Sequence, residues 1–307
     1  MMQNLTVSPP PHLKSRLASD HIMLAVCLSL LPAACWGVYA FGIGALRIIS
    51  TSISSALISE WIGCWMIRKE PGLSAAVTGL LLALCLPPSV PLWIPAVGSA
   101  FAIFAGKIAF GGTGNNIFNP ALVGRAFLTL SWPALLAPST WPVPFEATSS
   151  ATPLNLWKHQ HVQPFSLSDM FWGFRPGSIG EISAACLLVG GVALLALRLI
   201  DWRIPASYLG TVALLTWVLG EPVAFHLLAG GLLLGAFFMA TDYVTTPITK
   251  RGKLLFGVGA GCLLVVIREF GSLPEGVTFS ILIMNAFSPL IERFTKPRVY
   301  GTKSVSG

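Results

Sequence analysis
The hydrophobic positions of this chain come in long blocks, not in short alternating or heptad runs. Ten blocks approach the roughly 20 apolar residues that a membrane-crossing helix needs. They cover residues 22–42, 45–67, 72–88, 92–110, 117–137, 178–199, 204–220, 222–241, 253–268 and 276–294. The third and ninth are short, and the third runs into Pro87-Pro88, a place for a broken or re-entrant helix. The first block opens near Ile22 without a cleavage site, so it reads as a span and not as a secretory signal. Between blocks five and six lies a stretch rich in Pro, Ser, Thr and Trp, residues 138–177. A loop this long is usually functional or disordered.

Composition narrows the class. Of 307 residues, 54% are hydrophobic and 10% charged, against roughly 25% charged in a soluble domain. So few charges cannot cover a soluble surface, which excludes ordinary globular, collagen-like and disordered chains. The expected fold is an all-α polytopic membrane protein. The net charge of +7 would suggest nucleic acid in a soluble protein. Here the preference for Lys and Arg on the cytoplasmic side explains it. With Lys14 and Arg16 inside, the even-numbered helices return to the cytoplasm at Arg68-Lys69, Lys107, Arg198 with Arg203, Lys250-Arg251 with Lys253, and Arg293 through Lys303. That places 14 of the 19 basic residues inside; Arg47, Lys158, Arg175 and Arg268 lie outside, and Arg125 lies within span five. The chain then divides into a cytoplasmic N-terminal segment 1–21, a first five-helix half 22–137, an external loop 138–177, a second half 178–294 and a cytoplasmic tail 295–307. The six cysteines are dispersed through apolar segments and offer no metal or cluster spacing.

The two halves echo each other weakly. Thr78-Gly-Leu-Leu-Leu-Ala-Leu resembles Gly230-Gly-Leu-Leu-Leu-Gly-Ala, Ile108-Ala-Phe-Gly resembles Ile267-Arg-Glu-Phe-Gly, and Phe118-Asn-Pro-Ala-Leu resembles Phe287-Ser-Pro-Leu. All three pairs are offset by five helices. An odd number of spans inverts the second copy, and inverted repeats place ligand sites where broken helices meet near the midplane.

Three stretches could carry chemistry. The first, Gly106 to Phe127, combines a glycine-rich turn with Lys107, Asn115, Asn116, Asn119 and the intramembrane Arg125. A cation within the bilayer by default marks a function or a buried pair. A turn and helix start with Lys107 snorkelling to the interface is an equal alternative. The second, Met239 to Lys253, holds Asp242 among threonines, a cation or polar-ligand site or simply a hydrated loop. His226, Glu60, Glu181 and Glu221 lie in or at the ends of spans, where interhelical bonding or capping competes with an ion path. The third, Glu146-Ala-Thr-Ser-Ser-Ala-Thr-Pro-Leu154, reads by itself as a Ser/Thr-rich turn before a proline.

At Phe110-Gly-Gly-Thr-Gly-Asn-Asn-Ile-Phe-Asn-Pro-Ala121, at Met239-Ala-Thr-Asp242 and in the tail Lys296-Pro-Arg-Val-Tyr-Gly301, the sequence resembles a family of membrane proteins. That family contains the D subunit of Rnf electron-transport complexes and the B subunit of sodium-pumping NADH:quinone reductases. The likeness runs through the whole membrane region, and the tail and length point to the Rnf side. The resemblance implies FMN joined by a phosphoester to a threonine in an Asp-x-x-Ser/Thr-Gly-Ala-Thr motif. The matching positions are Glu146, Ser149, Ser150, Ala151 and Thr152, with Thr152 as acceptor in an exposed external loop. Glu146 stands for the family's Asp, Ser150 for its Gly, and Tyr243 stands where relatives commonly have Pro. It further implies a noncovalent riboflavin in the membrane region, for which (or for an ion) Lys107, Asn115, Asn116, Asn119, Arg125 and Asp242 are the candidate contacts.

The expected function is that of a bacterial inner-membrane subunit, both termini cytoplasmic. It would pass electrons through FMN between ferredoxin and NAD, coupled to sodium or proton movement. Its partners would be the other members of the Rnf complex, including a second covalent-FMN subunit and iron–sulfur subunits. The rivals are a channel or secondary transporter for a small polar solute, and a structural anchor without flavin.

Overall fold
Every one of the ten apolar blocks contains helix in the computed structural model, which describes residues 19–137, 141–145, 149–161, 163, 165–271 and 275–296. The first half comprises α1 (Ser19–Phe41), α2 (Ile43–Ile67), α3 (Ser74–Leu84), α4 (Trp93–Gly106) and α5 (Pro120–Ser131). Between the halves lie a two-stranded ribbon of β1 (Trp141–Pro142) and β2 (Ser149–Ser150), then α6 (Pro153–Gln160) and α7 (Leu167–Trp172). The second half has α8 (Ala184–Ala196), α9 (Arg203–Val218), α10 (Val223–Leu228), α11 (Leu232–Leu234), α12 (Lys250–Phe270) and α13 (Val277–Thr295). Among the described residues, three stretches are long and apolar enough to cross a membrane by length and composition: Ser19–Phe41, Trp93–Phe110 and Val277–Thr295.

The helices pack through small residues. A Cβ on Gly124 would meet the Gly98 carbonyl at 2.7 Å, and one on Gly261 would meet Thr211 Cβ at 2.7 Å, so α4 touches α5, and α9 touches α12, at backbone distance. Hydroxyls bond across the gaps: Ser52 Oγ donates to the Gly79 carbonyl at 2.6 Å, and Tyr208 shares a hydrogen bond with Ser280 at 2.9 Å. Between α1 and α2 the chain reverses at Gly42, whose φ of +69° costs glycine nothing.

Two expected spans are interrupted. α3 has 11 residues, about 16 Å of helix against a hydrocarbon core near 30 Å. It ends before Pro87-Pro88, as the prolines suggest. The buried carbonyls at and just beyond its end are satisfied from far along the chain: Gly180 N donates to Leu84 O at 2.9 Å, Ile179 N to Leu86 O at 3.0 Å, and Arg125 to Cys85 O. The continuous helix expected over 222–241 is instead α10, a break at Ala229–Gly231, and α11 continued by a π-helical turn, Gly235–Met239. Gly230 has φ +66° at the break. Arg268 donates to His226 O (2.8 Å) and Ala229 O (3.0 Å), and Arg175 to Leu228 O (2.9 Å). Buried backbone groups freed by a break must find such partners. Two further expectations need correction. Block five is helical only over Pro120–Ser131, with a 3₁₀ turn at Pro133–Leu136. The loop carries two short helices, and the buried run Arg175–Ser183 belongs to the core.

Candidate functional sites
The predicted site residues separate into two groups, one by the start of α3 at Ser74 and one by its end at Cys85. At one end, Asn119 caps α5. Its Oδ1 accepts from Ala121 N (3.0 Å) and Leu122 N (3.4 Å), with Pro120 at the first helical position, where no amide is needed. Its Nδ2 donates to Met239 O at 3.2 Å, joining the glycine-rich turn to the end of the π-helical turn. Lys107 does not snorkel. It is 3% exposed and pairs at 2.7 Å with Glu60, itself 1% exposed, while donating to Ser74 Oγ at 2.6 Å. Lys107, Asn116, Asn119 and Asp242 line one cavity of about 100 Å³ with Phe237 and Phe238. Asp242 accepts from Thr245 Oγ1 at 3.3 Å. Asn115 is exposed and bonds the Gly111 carbonyl at 3.4 Å, outside that cavity.

Arg125 is at the other end. From the middle of α5 it pairs with Glu275 just before α13 and donates to the Cys85 carbonyl at the end of α3. The pair borders a cavity of about 230 Å³ that reaches Trp141, Asn155 and His159 of the loop. Two buried polar atoms on this cavity have no protein partner among the described residues, Trp141 Nε1 and Glu275 Oε1. A donor and an acceptor left open beside a guanidinium fit a polar aromatic ligand such as a flavin.

Thr152 adjoins this cavity through Asn155. It is the N-cap of α6: its Oγ1 accepts from Asn155 N at 3.4 Å, and Pro153 follows at the first helical position. The β1–β2 pairing of Trp141 with Ser150 holds the approach. The expected exposed position is corrected: Thr152 is 5% exposed, because Pro153 and Leu154 fold into the core behind it. Ser149 and Ser150 form β2, and Glu146 and Thr148 lie outside the described residues.

Sequence reasoning did not single out Glu275, Trp141 or Asn155. An acidic residue directly before an apolar block was the available signal for Glu275. Arg175 and Arg268, counted only as external charges, are 1% and 4% exposed and serve the broken helix.

Apolar helices whose breaks are capped by buried side chains, three of the described ones long and apolar enough to cross a bilayer, define a helical membrane protein. The chain belongs to the NQR2, RnfD, RnfE family, whose model matches residues 6–301. It is 45% identical to the D subunit of the proton-translocating ferredoxin:NAD(+) oxidoreductase complex of Clostridium ljungdahlii, covering 97% of this chain and 96% of the relative. It is 42% identical to the D subunit of the Na(+)-translocating ferredoxin:NAD(+) oxidoreductase complex of Acetobacterium woodii, covering 98% and 97%. It is 40% identical to the D subunit of the ion-translocating oxidoreductase complex of Stutzerimonas stutzeri, covering 93% of each.

Proposed function
We propose that this chain is the D-type membrane component of an ion-translocating ferredoxin:NAD oxidoreductase, and that it carries electrons through FMN esterified to Thr152. The observation that carries the flavin assignment is the placement of Thr152: it begins α6 beside the cavity holding Arg125 and the open polar atoms of Trp141 and Glu275. A phosphoester there lies at a helix N-terminus, where amide dipoles favour negative charge. Bound flavin supplies the redox chemistry; the chain positions it and sets its electrostatics. Arg125 offers the ring a fixed cation, while Glu275 keeps that cation in place.

At the other end, the cavity of about 100 Å³ has less than half the room of the cavity of about 230 Å³ beside Thr152. Its Lys107, Asn116, Asn119 and Asp242 therefore suit a small hydrated ion better than riboflavin. The charge distribution supports ten spans, with the Thr152 loop outside a bacterial inner membrane and both termini in the cytoplasm. That the third and eighth blocks are both interrupted supports inverted five-helix repeats. The partners are the remaining members of the complex, a second covalent-FMN protein and the iron–sulfur proteins among them.

The test is a denaturing gel of the chain made with an active flavin transferase. Wild type and Thr152→Ser should fluoresce as flavin bands and Thr152→Ala should be dark. A dark wild-type band, or flavin mapped to Ser149 or Ser150, refutes the assignment.

A further inference from the structure
The folded chain buries the residue that must be modified. Thr152 is 5% exposed and Leu154 4%. Leu154 shares an apolar cluster with Met170 of α7 and with Phe225 and Ala229 at α10. One turn further along α6, the Trp157 ring lies 5.3 Å from the Phe225 ring, centroid to centroid. Lys158 then fastens α6 to the end of α12, donating to the Arg268 carbonyl at 2.6 Å and to the Gly271 carbonyl. Thr152 Oγ1 already accepts from Asn155 N, so one of its two lone pairs faces back into the helix start.

Attachment of FMN requires that oxygen to be free and in line with phosphorus. Thr152 Oγ1 forms the new P–O bond to the FMN phosphorus of a flavin dinucleotide, and the phosphoanhydride P–O bond breaks. The departing nucleoside monophosphate keeps the electron pair, the hydroxyl proton passes to a base of the transferase, and nothing is oxidised or reduced. A separate enzyme cannot surround a threonine that is 5% exposed at the start of a helix seated against α7 and α10 and tied to α12. We infer that flavin attachment precedes the docking of α6: the loop is modified while open, and α6 then folds onto α10 and α12, which sets the ester at its N-terminus and the flavin beside Arg125. The inference rests on Thr152 being the acceptor. In the finished protein, attachment has to await local opening of α6, one of the sub-global unfolding events that proteins undergo below their global stability.

The experiment uses the full chain in lipid nanodiscs, with purified flavin transferase and flavin adenine dinucleotide. The rate of Thr152 modification is followed by in-gel fluorescence and peptide mass mapping. Wild type supplied with transferase only after insertion should be modified at least thirtyfold more slowly than wild type inserted with transferase present. Phe225→Ala loosens the receiving surface from α10, outside any segment the transferase reads, and should be modified after insertion at least tenfold faster than wild type. Lys158→Met, which removes only the bonds to α12, should accelerate it severalfold and covers the case in which Phe225→Ala does not fold. Equal rates within twofold across these arms, with Thr152 labelled, overturn the order of events and leave the acceptor assignment standing. No label on Thr152 in any arm overturns the acceptor assignment, and this inference with it.

Discussion

Replacing Lys107 by Met strips the buried Glu60 carboxylate of its cation. The two groups are 3% and 1% exposed and 2.7 Å apart. At an effective dielectric near 20 their attraction is about 6 kcal/mol, and removing each ion from water costs several kcal/mol. The intact pair therefore adds little net stability, while the single variant loses the attraction and keeps the penalty. Glu60 retains only the Gly72 amide at 3.2 Å, and its Oε2 has no partner among the described residues. Lys107→Met should cost about 3–5 kcal/mol, and Glu60→Gln with Lys107→Met should return to within about 1 kcal/mol of wild type. Thermal or denaturant unfolding of all four proteins in one detergent closes the double-mutant cycle. A single variant costing under about 1 kcal/mol, or additive effects in the double, would show that the pair is not held as described. With stability restored, loss of ion uptake in the double variant assigns the pair to the ion site.

Arg125→Leu should weaken the change in flavin fluorescence on reduction and slow electron transfer, since it removes the cation beside the Thr152 cavity; unchanged flavin behaviour and activity in an assembled complex would remove Arg125 from the site. Glu275→Gln keeps the shape of the pair and should be the milder change, by at least tenfold in activity. Reporter fusions after Trp141 or at Phe165 should read external, and those after Lys253 or at the C-terminus cytoplasmic; reversed signals at both places refute the ten-span topology. Asp201, between α8 and α9, is bound by Lys253 at 3.1 Å and Arg203 at 3.1 Å. Burial raises its pKa, but the hydrogen bonds from the Arg203 amide and Lys253 outweigh this and hold the carboxyl below its ordinary value. Its contribution, at most about 1 kcal/mol for so exposed a pair, is present above pH of roughly 4 and fades as pH falls through the folded value; Asp201→Asn should abolish that part of the acid dependence of unfolding.

Much of this molecule follows from neighbouring residues. Blocks of apolar side chains impose helix in a lipid setting, because only there are all backbone groups satisfied locally. Pro87-Pro88 stops α3, and Asn119-Pro120 and Thr152-Pro153 start α5 and α6 through side-chain caps that need no distant partner. What depended on the tertiary structure joins residues far apart in the chain. Lys107 and Glu60 are 47 positions apart and Arg125 and Glu275 are 150 apart, and no local pattern states which charge meets which. The break in the eighth block was hidden for the same reason. Gly230-Gly231 is tolerable inside an apolar helix, and it opens here because Arg268 and Arg175 arrive from elsewhere to take the freed carbonyls. The burial of Thr152 is also a tertiary result: the polar motif reads as loop, but Leu154 and Trp157 just beyond it find an apolar seat against Phe225, and their burial carries the threonine inside.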